Sequence, residues 1–401
     1  MNKIDEILTR YVDKVYPSKE AFIKKLKTGD KIRMYIGIDP TGPDLHLGHT
    51  TNFLLLKKFQ ELGHKVIIVA GDFTARIGDP TDKLSQRQPL TAEETVKNAL
   101  TYKEQISKFL DFKSKENPAE MVFNSSWLDK LTYKELIHLA SHFTVQQMLE
   151  RDMFQERLKQ GKPISMHEFL YPISVGYDCV VLDVDLEVGG TDQTFNMLIG
   201  RDLMRDIKSK EKFVITTPLL INPKTDKKIM SKSEGSFVAV RDESKEMFGK
   251  IMALPDEVIL PIFEYCTEIS LKDIKKLEKE LADGMNPRDA KVTLGKEIVQ
   301  MYHGQKKADE AEKAFIQVFA KKENPDEMAE MSVLDKNWPL AELLEFTKLT
   351  SSKSEARRMI EQGGVKVDGA VIGDREATIR PKTGMVIQAG KRKFIKIKLD
   401  K

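Results

Sequence analysis

The sequence predicts an α/β protein: an open, mostly parallel sheet with a helical insertion, then an all-helical stretch, then a small α+β module. Three observations predict it. Lys65–Ala70 contains the unbroken apolar run Val66-Ile67-Ile68-Val69, as a parallel strand buried on both faces requires. Before it come an alternating stretch, Ile32–Ile38, and a helical pattern, Leu45–Leu62, that stops at Gly63, so the three form a β-α-β unit. From Pro339 to Lys401 the charge changes character: 14 Lys+Arg stand against 8 Asp+Glu, a net of +6 in a chain whose total is +3.

Each element has its own signal. The first strand ends at Gly37-Ile38-Asp39-Pro40, opening a loop at the carboxyl edge of the sheet, where open α/β sheets bind ligands. Met121–Asn124, Leu186–Val188 and Phe213–Thr217 are apolar enough for further strands. Helical patterns fill most of Leu128–Gln160, which makes that stretch an insertion between the halves of the sheet. From Glu243 to Lys321 the spacing is helical throughout. The run Lys321–Asp326, with Pro325, and the polar stretch to Trp338-Pro339 read as a linker. A helix-turn-helix pattern and short strands follow.

Composition narrows the class. With 401 residues, 40% apolar and 32% charged, the chain is long enough for two or three domains and is expected to be globular and soluble. No apolar run approaches the roughly 20 residues that span a bilayer, and Met1–Glu6 lacks the apolar segment of a secretory signal. Two cysteines, Cys179 and Cys266, make neither a disulfide framework nor a zinc site, so a reducing cytoplasm is expected. A basic terminal module on a body of net −3 suits nucleic-acid binding, with a solvated basic tail as the plain alternative.

Two motifs carry chemistry. His46 and His49, in Asp39-Pro40-Thr41-Gly42-Pro43-Asp44-Leu45-His46-Leu47-Gly48-His49, share one face at the first turn of a helix. Metal ligation would need a third ligand, and none is near in sequence. A helix N-terminus favours anions, two imidazoles add donors for phosphate oxygens, and Gly48 lets a nucleotide approach the backbone. The second motif, Met230-Ser231-Lys232-Ser233, puts a lysine in a Ser- and Gly-containing loop suited to clamping a polyphosphate.

In this order and at this separation the two motifs resemble the HIGH and KMSKS signatures of class I aminoacyl-tRNA synthetases. The region Tyr35–Ser233 resembles the bacterial tyrosyl members: Tyr35–Thr41, Ile77-Gly78-Asp79-Pro80-Thr81, Tyr171, Tyr177-Asp178 and Gly189-Gly190-Thr191-Asp192-Gln193 all match. The resemblance implies a Rossmann-like catalytic domain over 1–235, with a dimerisation insertion at about 127–160. It further implies a helical domain at 236–325 for the anticodon region of tRNA and an RNA-binding domain at 339–401, similar to that of a small-subunit ribosomal protein.

It implies roles as well. Tyr35 and Asp178 would bond the phenol of tyrosine, Asp79 and Tyr171 its ammonium group, with Gln193 lining the pocket. Gly37, Asp39, Gly190 and Asp192 would meet the ribose of ATP, with Gly48 and Leu220 against its adenosine. Thr41, His46 and His49 would act at the reacting phosphorus, and Lys83, Arg87 and Lys232 on the departing pyrophosphate. ATP would bring Mg²⁺; no bound structural metal is expected. At the C-terminal end, Lys353, Arg357, Arg358 and Lys366, around Gly363-Gly364-Val365-Lys366-Val367-Asp368-Gly369, would track an RNA backbone, with Lys391-Arg392-Lys393 as a basic edge.

The chain departs from the family pattern twice. Ile229 stands where a lysine usually precedes Met-Ser-Lys-Ser, with Lys227 and Lys228 nearby, and Val175 stands where a glutamine usually follows the Tyr171 position by four residues. The implied function is ligation of tyrosine to its tRNA by a cytoplasmic homodimer. The alternative is an RNA-binding or regulatory paralogue that keeps the fold without the charging activity.

Overall fold

The computed structural model describes residues 3–80, 90–230, 237–317, 328–390 and 393–400. It divides into two compact units, residues 1–305 and 306–401.

The first unit is built on a six-stranded sheet: β1 (Lys14–Tyr16), β2 (Arg33–Ile38), β3 (Lys65–Ala70), β4 (Glu120–Phe123), β5 (Leu186–Gly190) and β6 (Phe213–Thr217). Their spatial order is β1-β6-β5-β2-β3-β4, with every neighbouring pair parallel except β1 on β6. All five strands anticipated from apolar runs are present, within a residue or two of the expected ends. β1 was not anticipated; three residues with one aliphatic side chain give no readable period.

The helix between β2 and β3, α1 (Thr50–Glu61), is preceded by a single tight turn, Leu47–His49. Gly63, at φ +88, ends it as the sequence suggested. The insertion forms four short helices, Ser125–Leu128, Tyr133–Ala140, Val145–Leu149 and Asp152–Lys159. Thr132 and Thr144 cap two of them, their hydroxyls accepting from the backbone NH groups of Glu135 and Gln147. Next comes the long apolar helix α2 (Met166–Leu182), which packs beside α3 (Thr194–Lys208) on the face of the sheet that holds the site.

Helices Ser244–Met252, Ile259–Cys266, Leu271–Ala282 and α4 (Pro287–His303) cluster with the sheet in this first unit. The second unit begins with helix Gln305–Phe315 and holds a five-stranded sheet and two short helices, Leu340–Phe346 and Lys353–Glu361. Its core gathers Leu340, Leu343, Leu344, Ala356, Ile360, Val365 and Ile387.

The stretch before Trp338 needs correction. Ala329–Val333, expected as linker, is a strand that pairs in parallel with Lys393–Leu399, and Trp338 is buried. The Lys321–Asp326 part of that expected linker lies outside the described residues. Val365–Val367 and Ala370–Ile372 form a hairpin whose turn residues, Asp368 (φ 47) and Gly369 (φ 83), take the left-handed geometry that a two-residue turn demands.

Candidate active site

Strand register decides what faces the site. Tyr35 lies opposite Ile67 on one side and Glu187 on the other, and Gly37 opposite Val69. Because side chains alternate, Tyr35, Gly37, Val69, Glu187 and Gly189 share one face. Gly37 leaves the edge of that face bare, Gly189 is buried against Met197 and Gln193, and Tyr35 and Glu187 sit one pleat deeper. α2 covers it, and Tyr171, Val175 and Asp178 point inward together because they are spaced at four and three residues. The cleft so formed is also lined by Asp39, Thr74, Asn124, Gln193, Asn196 and Met197.

At its deep end Asp178 is buried. Its carboxylate accepts from Trp127 Nε1 at 2.8 Å and from Asn124 Nδ2 at 3.2 Å. Burial drives its carboxyl well above the usual carboxylate range, against those two donors. Tyr35, fully buried, donates to Glu187 Oε1 at 2.6 Å. Nearer the mouth, Tyr171 donates to Asp39 Oδ2 at 3.1 Å, and Thr74 donates to Asp39 Oδ1 at 2.7 Å. Asp79 accepts from Gln193 Nε2 at 2.9 Å and from the buried Arg151 guanidinium at 2.7 Å. Arg151 and Trp127 enter from the insertion, so the insertion also holds the pocket's carboxylates in place.

The histidines form their own group. Their rings lie 4.0 Å apart, centroid to centroid. His46 Nδ1 accepts from Gly48 N at 3.1 Å, and His49 Nδ1 lies 3.2 Å from His46 N and 3.3 Å from His46 O, so the backbone of this one turn orients both rings. The space that Gly48 leaves is occupied by the His46 ring: a Cβ there would stand 3.0 Å from its Cε1 and Nδ1. Desolvation lowers His49 to about 4, so it is a neutral donor at physiological pH. Thr41 is exposed beside this turn, its NH bonded to Asp39 O at 2.8 Å.

The chain after the second signature returns to the first. Leu47 N donates to Val238 O at 3.0 Å, Val240 N donates to Leu45 O at 2.9 Å, and the Phe237 ring meets His46 edge-on at 5.3 Å. Met230, buried and held at φ +74, lies 3.8 Å from where a Gly48 Cβ would stand. Both ends of the loop 231–236 are thus fastened beside the histidines.

A family model described as "tRNA synthetases class I (W and Y)" matches residues 27–320, and one described as "Tyrosine--tRNA ligase SYY-like C-terminal domain" matches residues 321–397. The chain belongs to the class I tRNA synthetases. It is 45% identical to a tyrosine–tRNA ligase of Moorella thermoacetica over 98% of this chain and 94% of that one. It is 46% identical to one of Carboxydothermus hydrogenoformans, covering 99% and 98%. A crystal structure of a C-terminally truncated mitochondrial tyrosyl-tRNA synthetase from Aspergillus nidulans superposes with a TM-score of 0.67 at 22% identity, covering 79% of this chain and 94% of that one.

Within this class I frame, the remaining expected residues fall as follows. Asp192 is joined to Lys228 at 3.0 Å, so one of the lysines beside Ile229 is anchored near the expected ribose site. A Cβ at Gly190 would stand 2.6 Å from Asp192 Oδ1 and 3.0 Å from Leu219 Cδ2, so a larger residue would push the Asp192 side chain aside. Leu220 is buried, and its carbonyl accepts from Ile229 N at 2.9 Å. Lys83, Arg87 and Lys232 lie outside the described residues, as do Lys391 and Arg392. In the second unit Lys353 pairs with Glu342 at 2.7 Å, while Arg357, Arg358 and Lys366 lie along the helix and strand beyond it.

Sequence reasoning missed Asn124, Trp127, Arg151, Glu187 and Lys212. A signal existed for one of them. Glu187 interrupts the apolar run Leu186–Val188, and a charge inside a doubly covered parallel strand asks for a partner.

Proposed function

We propose that this chain activates L-tyrosine with ATP and then transfers the tyrosyl group to the 3′ end of its tRNA. The observation that carries the reading is the pocket itself. A closed end supplies Tyr35 and Asp178 for a phenol, two buried polar groups to which a phenylalanine side chain offers no hydrogen bond. Its middle supplies Tyr171 and Gln193, the latter bonded to Asp79, and its mouth leads to the bare edge at Gly37 for a nucleotide.

In the first step a carboxylate oxygen of tyrosine attacks the α-phosphorus of ATP, and the bond to the bridging oxygen breaks. The electron pair leaves on pyrophosphate. His46 and His49 donate N–H groups to phosphate oxygens at the helix start, and Thr41 adds a hydroxyl. Lys232, Lys83 and Arg87 balance the charge of the leaving pyrophosphate, and Mg²⁺ arrives with ATP to supply further charge. In the second step a terminal ribose hydroxyl of tRNA attacks the acyl carbon and AMP departs. No covalent enzyme intermediate is needed.

The organisation follows the same reading. The catalytic domain spans 1–235, the helical region 236–325 and the basic module 339–401 grip tRNA, and two chains join through 127–160 in the cytoplasm. Exposed Tyr133, Ile137 and Val145 on the insertion support the last point. Among the described residues no helix is long and apolar enough to cross a membrane.

Amino-acid-dependent ATP–pyrophosphate exchange tests the proposal. Exchange with tyrosine, and little with phenylalanine or tryptophan, is the expected result. A folded protein that binds tRNA and exchanges with none of them would favour the paralogue.

Val175 tests the ammonium side. It lines the pocket between Tyr171 and Asp178 and cannot accept a hydrogen bond. Val175→Gln is expected to lower the tyrosine KM in exchange about fivefold, the effect of one added hydrogen bond of about 1 kcal/mol. An unchanged KM would show that Asp79 and Tyr171 already meet the need.

A further inference from the structure

We infer that Glu187, held by Lys212, is a specificity-determining residue: it takes the hydroxyl proton of Tyr35, so that Tyr35 meets the phenol of the substrate as an acceptor. The inference rests on the tyrosine-activating reading and assigns a role to two residues that reading does not use.

Glu187 and Lys212 are among the most buried charges in the molecule, at 3% and 0% exposure. They are in direct contact. The three donors of the Lys212 ammonium have three acceptors: Glu187 Oε2, the Met197 carbonyl at 3.0 Å and Cys179 Sγ at 3.1 Å. With no donor to spare, Lys212 fixes the position and charge of Glu187. The other carboxylate oxygen, Oε1, is the one that receives the Tyr35 proton.

The Tyr35 hydroxyl has other neighbours, Cys179 Sγ at 3.2 Å and the Val175 carbonyl at 3.4 Å. A carboxylate at 2.6 Å outcompetes both, because a charged acceptor at short range makes the stronger bond. Strand pairing places the two groups together: Tyr35 and Glu187 are register partners on β2 and β5. A buried ion pair is costly to assemble and is retained where it specifies something. Here it specifies the direction of one hydroxyl.

The direction propagates. A phenol has one proton and two lone pairs. With Tyr35 accepting that proton, the phenol oxygen needs a donor on its other side, and Asp178 is the group there. Burial favours the protonated form of Asp178, which can give that proton. The chain then runs from Asp178 to the phenol, to Tyr35, to Glu187 on Lys212. Phenylalanine would break it in the middle and strand two buried polar groups.

A mutant cycle tests this. Tyrosine Kd by calorimetry, and kcat/KM in ATP–pyrophosphate exchange for tyrosine and phenylalanine, are measured for four proteins. These are wild type, Tyr35→Phe, the pair Glu187→Met with Lys212→Met, and the combination of all three. The Met pair removes both charges together and so avoids stranding one of them. We expect it to reduce the preference for tyrosine over phenylalanine about tenfold, and Tyr35→Phe to add little on top. Equal losses for both amino acids, or fully additive losses, would overturn the inference. Should the Met pair fail to fold, Glu187→Gln carries the same test: it keeps an acceptor for Lys212 while turning an amide donor to Tyr35, and an unchanged preference would overturn the inference. The two readings fail differently. Exchange by wild type with an additive cycle removes only this role for Glu187, whereas absence of exchange removes the activity and leaves the calorimetric cycle to decide the role.

Discussion

Replacing Lys232 by alanine is expected to slow adenylate formation by about 10²–10³-fold while tyrosine affinity stays within about threefold. The expectation comes from where the loop is fastened. It leaves Met230, beside Gly48, and returns at Phe237, against His46. Lys232 follows Met230 by two residues in the sequence, and Met230 lies beside the histidine turn where the proposed phosphate site is. The proposed phenol end of the pocket lies two strand residues below the glycine edge, where Tyr35 and Asp178 would serve it. A cation that acts on the leaving pyrophosphate stabilises charge that develops in the transition state, so its loss falls on rate. Rapid-quench measurement of adenylate formation, with tyrosine binding measured separately, checks the split. Equal losses in rate and affinity would contradict a clamp on the leaving group.

Much of this arrangement could be read from the sequence, and for a physical reason. Strands buried on both faces must be nearly all apolar, so Val66–Val69 and Phe213–Thr217 announce themselves. Helix ends need particular residues, so Gly63 marks a boundary. The residues proposed for tyrosine and ATP rest on a resemblance carried by short motifs. What stayed hidden depends on pairing at a distance. Ala329–Val333 alternates correctly, but five residues beside a proline-containing polar run read equally well as a connection. Its partner, Lys393–Leu399, lies more than 60 residues away. Trp127 and Arg151 carry no local sign that they serve Asp178 and Asp79, because only the folded insertion brings them there. Lys212 reads as one more surface lysine before a strand until Glu187 is seen opposite it.

Arg10 shows the same principle in energetic form, and its replacement has the largest expected effect on stability. The side chain is 3% exposed and faces no carboxylate within ion-pair distance among the described residues. Its guanidinium instead donates to four carbonyls, of Phe263, Glu264, Thr267 and Ile269, at 2.5–3.1 Å. These lie at and just beyond the end of helix Ile259–Cys266, where the helix dipole is negative; Phe263 O also accepts from Thr267 Oγ1 at 2.6 Å, and Thr267 O from the Tyr11 hydroxyl at 3.2 Å. One cation therefore neutralises a helix end and ties the N-terminal helix Lys3–Arg10 to the helical part of the first unit. Arg10→Met keeps much of the apolar stem and removes the donors. Four carbonyls would lose the guanidinium at once, those of Phe263 and Thr267 keeping a second donor, and hydrogen bonds to a charged group are worth about 1.5–3 kcal/mol each before compensation by water. We expect a loss of about 3 kcal/mol or more in the urea-induced unfolding of the first unit, with little change in exchange activity per folded molecule, because no pocket residue contacts Arg10. A loss below about 1 kcal/mol would mean that water readily replaces the guanidinium and that the N-terminal helix is held by its apolar face, Ile7 and Leu8, alone.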